Sequence, residues 1–138
     1  MNTVTPSPAA ANIAAVSGTF EAFGRGDLTT FAEGFHPDAT WNHRNPDRLG
    51  GIHAGRDAIV AFIAESGTLT AGTLRAAPEV VMADDDDHVA VAVHLTAERP
   101  DGRRLDDRQM LFFTLENGLI GTVDQYIGAP EAVTAFWD

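Results

Sequence analysis

Neither cysteine nor lysine occurs among the 138 residues of this chain. Without thiols there are no disulfides, cysteine nucleophiles, iron–sulfur clusters or sulfur-bound zinc sites. Without lysine there is no Schiff-base amine and no P-loop lysine to grip phosphate. Positive charge is scarce as well: nine arginines face 20 carboxylates, giving a formal net charge of -11. Such a surface repels phosphate backbones and anionic bilayers, so neither nucleic acid nor membrane is an expected partner. No apolar run approaches the ~18 residues of a membrane span. The opening stretch, Met1 to Pro8, has no basic segment leading into an apolar one, as a secretory signal requires. A cytoplasmic location is expected, with residues 1–8 as a flexible tail and residues 9–138 as one domain.

What is present supports a real core, because 44% of the residues are hydrophobic and only 21% charged. A chain of this size buries roughly 68–70% of its unfolded surface. Ile13, Val16, Phe20 and Phe23 recur at helical spacing, and Gly24 to Gly26 end that helix. Asp27 is a suitable N-cap for a second helix carrying Leu28, Phe31, Ala32 and Phe35, stopped by His36-Pro37. A short strand from Ala39 to His43 and an irregular loop from Arg44 to Ala54 lead to a third helix near Asp57, with Ile59, Phe62 and Ile63 on one side.

From there the period changes to two. Segments near Thr73–Met82, His88–Glu98, Arg104–Leu115 and Leu119–Ile127 read as an antiparallel meander, with hairpin turns at Asp101-Gly102 and Asn117-Gly118. The run Asp84 to Asp87 fits the remaining turn, since no glycine-centred calcium loop or later bidentate glutamate accompanies it. Pro130 suits the first turn of a closing helix with Val133, Phe136 and Trp137. The class is α+β, with a curved sheet enclosing an apolar hollow.

Several stretches resemble the SnoaL-like proteins of the nuclear-transport-factor-two-like superfamily. They are Gly26-Asp27-Leu28, Phe35 through Trp41, Gly51 to Ile59, Asn117-Gly118-Leu119-Ile120 and the closing Ala135-Phe136-Trp137. The resemblance implies the cystatin-like, ketosteroid-isomerase-like α+β barrel: a cone of curved antiparallel sheet wrapped around N-terminal helices. It also implies a hydrophobic pocket and a homodimer. That superfamily spans isomerases, polyketide cyclases, dehydratases, epoxide hydrolases and non-catalytic binders, so fold alone does not choose the reaction.

Compared with ketosteroid isomerases, His43 falls where those enzymes keep their carboxylate base, and a histidine can accept and return a proton near neutrality. Their two oxyanion donors are replaced, one by Thr19 and the other near Leu111. Compared with limonene-type epoxide hydrolases, the essential aspartate position holds Gln125, so that chemistry requires Asp124 to face the cavity instead. The resemblance favours the face of the second long strand that carries Ala90, Ala92 and His94 as the cavity side, leaving Val89, Val91 and Val93 for a convex dimer face.

These residues lead to one expectation with open alternatives. The chain is read as a small cofactor-free protein binding a polyketide- or terpenoid-like hydrophobic metabolite, with His43 as acid/base in an isomerisation, cyclisation or dehydration. Gln109, Gln125 and His94 would orient a polar group, while Phe20, Trp41, Phe62, Leu111, Phe113, Val123 and Ile127 would form the wall. No metal is expected, because His36, His43, His53, His88 and His94 form no pair at helical spacing with a nearby carboxylate set. The alternatives are a non-catalytic small-molecule binder and, with Asp124 inward, an epoxide hydrolase.

Overall fold

The computed structural model describes residues 7–138. Its elements run α1 (Pro8–Gly24), α2 (Leu28–Glu33), β1 (Phe35–His43), β2 (Gly51–Ala54), α3 (Arg56–Leu69), β3 (Arg75–Ala83), β4 (His88–Glu98), β5 (Arg104–Glu116), β6 (Leu119–Tyr126) and α4 (Pro130–Trp137). Residues 1–6 of the expected tail lie outside the described residues. Ser7 and Pro8 belong to α1 instead: the Ser7 side chain accepts from the Ala10 N–H at its N-cap, and Pro8 opens the helix.

Six strands form one curved sheet in the order β2-β1-β6-β5-β4-β3. It is open, with β2 and β3 as edges, and not a closed barrel. The four long strands pair antiparallel as expected, whereas β1 joins β6 in parallel. Two expectations near β1 are corrected. The helix α2 ends at Glu33, and Phe35 already opens β1. Pro37 follows within that strand, where the register against β6 shifts between Phe35 and Thr40, a tolerable place for a residue with no N–H. The segment Gly51–Ala54, expected as loop, is a short edge strand on β1.

The meander follows from alternation. Every second side chain of β5 from Leu105 to Leu115 is buried, including Asp107 and Gln109. The hairpin after it turns on Asn117 (φ 52°) and Gly118 (φ 80°), the paired positive values of a type I′ turn. On β4 the valines face inward: Val89, Val91 and Val93 are at most 1% exposed. This reverses the expected orientation of that strand. The core needs the larger side chains, and the alanines sit outside beside Met82, Met110 and Phe112.

The helices α1 and α3 supply Val16, Ile59, Phe62 and Ile63 to the concave side. At the other end, Arg99 and Arg103 donate to the Phe136 carbonyl, Arg99 also to that of Trp137 and Arg103 to that of Ala135. They thereby complete the C-terminus of α4. Among the described residues no helix is long and apolar enough to cross a membrane.

Candidate functional site

Trp41 and His43 alternate along β1 and therefore share its inward face. In the parallel pairing His43 lies opposite Gln125 of β6, and Gln125 in turn lies opposite Leu111, two residues from Gln109 on β5. Hydrogen bonds join these side chains into one string. The Trp41 indole Nε1 donates to Gln125 Oε1 at 2.9 Å, and His43 Nδ1 meets the same oxygen at 3.1 Å. Gln125 Nε2 donates to Gln109 Oε1 at 2.7 Å, and Gln109 Nε2 donates to Asp107 Oδ2 at 3.0 Å. The Gly128 N–H donates to that same carboxylate oxygen at 3.1 Å.

The direction of this string is set by its ends. An indole N–H only donates, so the Gln125 atom facing it must be the carbonyl oxygen. His43 Nδ1, meeting that oxygen, must then carry a hydrogen. At the far end the Asp107 carboxylate requires a donor, which orients Gln109 in the same sense.

The other ring nitrogen is held by the turn that follows β1. There the Asn45 N–H donates to the His43 carbonyl and the Gly50 N–H to the Asp47 carbonyl. Gly50 has no freedom to be larger, because a Cβ would collide with the Asn45 carbonyl oxygen. This tight turn folds Asp47 back so that its Oδ2 lies 2.9 Å from His43 Nε2. Asn45 Nδ2 donates to Oδ2 at 2.6 Å, and the Leu49 N–H donates to Oδ1 at 2.8 Å. Burial pushes the Asp47 carboxyl upward, but hydrogen bonds from His43 and Asn45, the His43 charge and the Leu49 N–H outweigh it and hold it below the usual carboxylate range. Asp47 is thus a carboxylate, and Nε2 donates to it. With Nδ1 also donating, the geometry is that of an imidazolium against a carboxylate, with side chains 2% and 0% exposed.

An apolar cavity adjoins this group, leaving about 80 Å³ for the centres of water-sized atoms. Of the residues expected to form it, His43, Gln109 and Gln125 provide the polar wall. Phe20, Trp41, Phe62, Leu111 and Phe113 provide apolar wall. Edge contacts between Phe20 and Phe113 and a tilted pair of Trp41 and Phe62 hold these rings in place.

Three expected residues do not reach the cavity. His94 is on the outer face, its Nε2 2.6 Å from Asp106 Oδ1, because the valine row of β4 took the inside. Val123 is buried in the core, and Ile127 is half-buried against it. Asp124 also faces outward, accepting from Arg44 Nε and Nη2 at 3.1 and 2.8 Å. The orientation an epoxide hydrolase would need is therefore not met. Thr19 and Leu111 do line the cavity, but the Thr19 hydroxyl is spent on the Val16 carbonyl.

Sequence reasoning did not nominate Asp47, Leu49, Ile63 or Trp137, among others, for the site, whereas Phe23, on the apolar face of α1 with Phe20, lines the cavity as core or wall. Ile63 lay on the apolar side already identified for α3, and Trp137 on that of α4, so periodicity could have nominated both. Asp47 and Leu49 carry no periodic signal. Among the described residues, no three His, Cys, Asp or Glu side chains gather as a metal-ligand set.

Comparison with known proteins agrees with this architecture. A family model described as a SnoaL-like domain matches residues 16–122. Uncharacterized proteins of Mycobacterium tuberculosis and Mycobacterium bovis are each 31% identical over 127 residues, covering 92% of this chain and 96% of theirs. The solved structure of Bal32a, from a soil-derived mobile gene cassette, superposes with a TM-score of 0.91 at 33% identity, covering 95% of this chain and 99% of that one. A Jannaschia protein, whose proposed identity is a SnoaL-like polyketide cyclase, shares the fold with a TM-score of 0.79 at 20% identity, over 98% and 97% of the two chains. TerC, crystallised with polyporic acid, does so with a TM-score of 0.76 at 24% identity, over 85% and 91%.

Proposed function

The chain belongs to the SnoaL-like domain family, and on that premise we propose that it binds a small, largely apolar metabolite in the cavity and moves a proton on it. The observation that carries this reading is His43, backed by the buried Asp47 and flanked by Gln109 and Gln125, on the polar side of a cavity whose remaining wall is largely apolar. A ligand carbonyl or hydroxyl that displaces Gln125 Oε1 becomes the acceptor of the His43 Nδ1 hydrogen. Having delivered it, Nδ1 holds a lone pair and can take a proton from carbon, while Asp47 keeps Nε2–H in place. His43 would then act first as acid and then as base, which suits isomerisation, cyclisation or dehydration. The polyketide-cyclase neighbours lend weight to cyclisation and to a polyketide-like ligand.

One observation favours a non-catalytic binder with the same cavity: both ring nitrogens of His43 already have protein partners. A single experiment separates the two. The ketone 2-tetralone is apolar and has exchangeable α-hydrogens. Its binding reads out as quenching of the chain's two tryptophans, Trp41 and Trp137, both of which line the cavity. Its α-exchange in deuterated water is followed by NMR. Catalysis predicts accelerated exchange that falls about 10²–10⁴-fold in His43→Ala with binding retained. Bound tetralone exchanging at the solvent rate would establish the binder.

We also propose that the chain pairs with a second copy through the outer sheet face. Exposed Met82, Met110, Phe112 and Tyr126 lie there across β3, β5 and β6, with Ala90 and Ala92 of β4 between them.

A further inference from the structure

A second concavity abuts the cavity, and the two share Phe23, Ile63 and Leu74 in their walls. It lies between the C-terminal ends of α1 and α3 and the start of β3, so these three side chains border both hollows and the outer one is a vestibule beside the apolar interior. Its lining includes Arg25 and Arg75 and no acidic residue. In a chain with 20 carboxylates and nine arginines, that local reversal of sign is unusual.

Neither arginine is tightly neutralised. Arg75 Nη1 donates to the Gly72 and Leu74 carbonyls at 2.9 and 3.0 Å, which anchors the side chain at the rim. No carboxylate lies within ion-pair distance of Arg75 among the described residues. Arg25 lies 3.7 Å from Asp27, whose carboxylate is already engaged by the Thr30 N–H and hydroxyl at the start of α2.

The floor of the vestibule is kept bare. Gly24 ends α1 and Gly67 lies in the last turn of α3. Neither has a positive φ, and a Cβ on either would meet nothing within 4 Å. Neither strain nor close packing calls for glycine at these positions. The space beside both backbones is open, and no side chain projects from either position of the lining.

We propose that this vestibule receives an anionic carboxylate end of the ligand, so that the molecule taken is an amphipathic acid. Its apolar body occupies the cavity and its carboxylate lies against Arg25 and Arg75. The guanidinium fork matches a carboxylate, and the glycines leave room for the group to reach it. The inference rests on the reading of the cavity as a ligand site, and it adds the class of ligand.

The test compares ω-phenylalkanoic acids with the phenylalkanols of equal length, over a series of chain lengths, by tryptophan quenching. The acids are expected to bind about three- to tenfold more tightly than the alcohols at low salt. That preference should peak at one chain length, fade in 0.5 M salt as screening shortens, and vanish in Arg25→Gln/Arg75→Gln while alcohol binding stays unchanged. Alcohols binding as well as acids would overturn this inference and leave the cavity reading standing. Failure of both series to bind would overturn the two together. An acid preference that survives in the double variant would also refute it, since the charge would then be read elsewhere.

Discussion

Replacing Asp47 is the most demanding perturbation of the candidate site. Its carboxylate accepts from His43 Nε2, Asn45 Nδ2 and the Leu49 N–H, all within 2.9 Å and all buried. Asp47→Ala strips the counter-ion from a buried imidazolium and leaves the Leu49 N–H without an acceptor. Breaking one side of a buried ion pair costs about 3–5 kcal/mol, a large share of the ~5–15 kcal/mol that holds a typical domain together. For a chain of this length, roughly 3–5 °C of melting temperature accompanies each kcal/mol, so a fall on the order of 10–20 °C is expected by circular dichroism at pH 7. The effect carries a pH signature. Because the Asp47 carboxyl is held below its ordinary value of 3.8 in the folded state, its contribution is complete above that pH and is lost as pH falls through the lower folded value. The gap between wild type and Asp47→Ala should therefore close in acid. Nitrogen-15 spectra of the His43 ring at pH 7 should show both nitrogens protonated in the wild type. A melting temperature within about 2 °C of wild type, or one unprotonated ring nitrogen in the native protein, would refute the ion-pair argument.

Three further outcomes are expected. Gly50→Ala should destabilise the fold strongly, because the new Cβ meets the Asn45 carbonyl and the turn presenting Asp47 must open; chemical denaturation measures it. Gln125→Leu removes the acceptor for Trp41 Nε1 and His43 Nδ1 and the donor to Gln109, so a loss of about 1–3 kcal/mol is expected for the polar groups left unpaired, again by denaturation. If the proposed pairing through the outer face holds, the native chain should sediment as a dimer at micromolar concentrations and Phe112→Glu as a monomer with the fold unchanged; a monomeric native chain would refute the pairing.

Alternation made much of the architecture readable in advance. On β5 the polar residues Asp107 and Gln109 fall on the same parity as Leu111, Phe113 and Leu115, so alternation groups them with the apolar row, whereas the inward position of Gln125 on β6 came from the family resemblance and not from spacing. The same rule failed on β4 because it sorts residues into two rows without saying which row is inside. Core volume decided that, and His94 went outward with the alanines. Gly51–Ala54 gave no strand signal, having only one large apolar residue, Ile52, which is exposed. Asp47 was invisible for a different reason. Its role arises from a turn whose closure depends on backbone crowding at Gly50, and no spacing rule along the chain encodes that.

The polarity imposed by Trp41 has a consequence for where charge can travel. Reversing the string would require Gln125 to turn its amide nitrogen toward the indole, two donors facing each other. It would also turn the Gln109 oxygen toward Asp107, which could accept that only by acquiring a hydrogen of its own. Flipping both amides is therefore equivalent to taking a proton from the imidazole and installing one on a carboxylate several residues away. The indole N–H opposes each such flip, so the row of amides behaves as a latch and not as a wire. Trp41→Phe would release that latch, and the imidazole could then shed its Nδ1 hydrogen without any substitution at His43 itself.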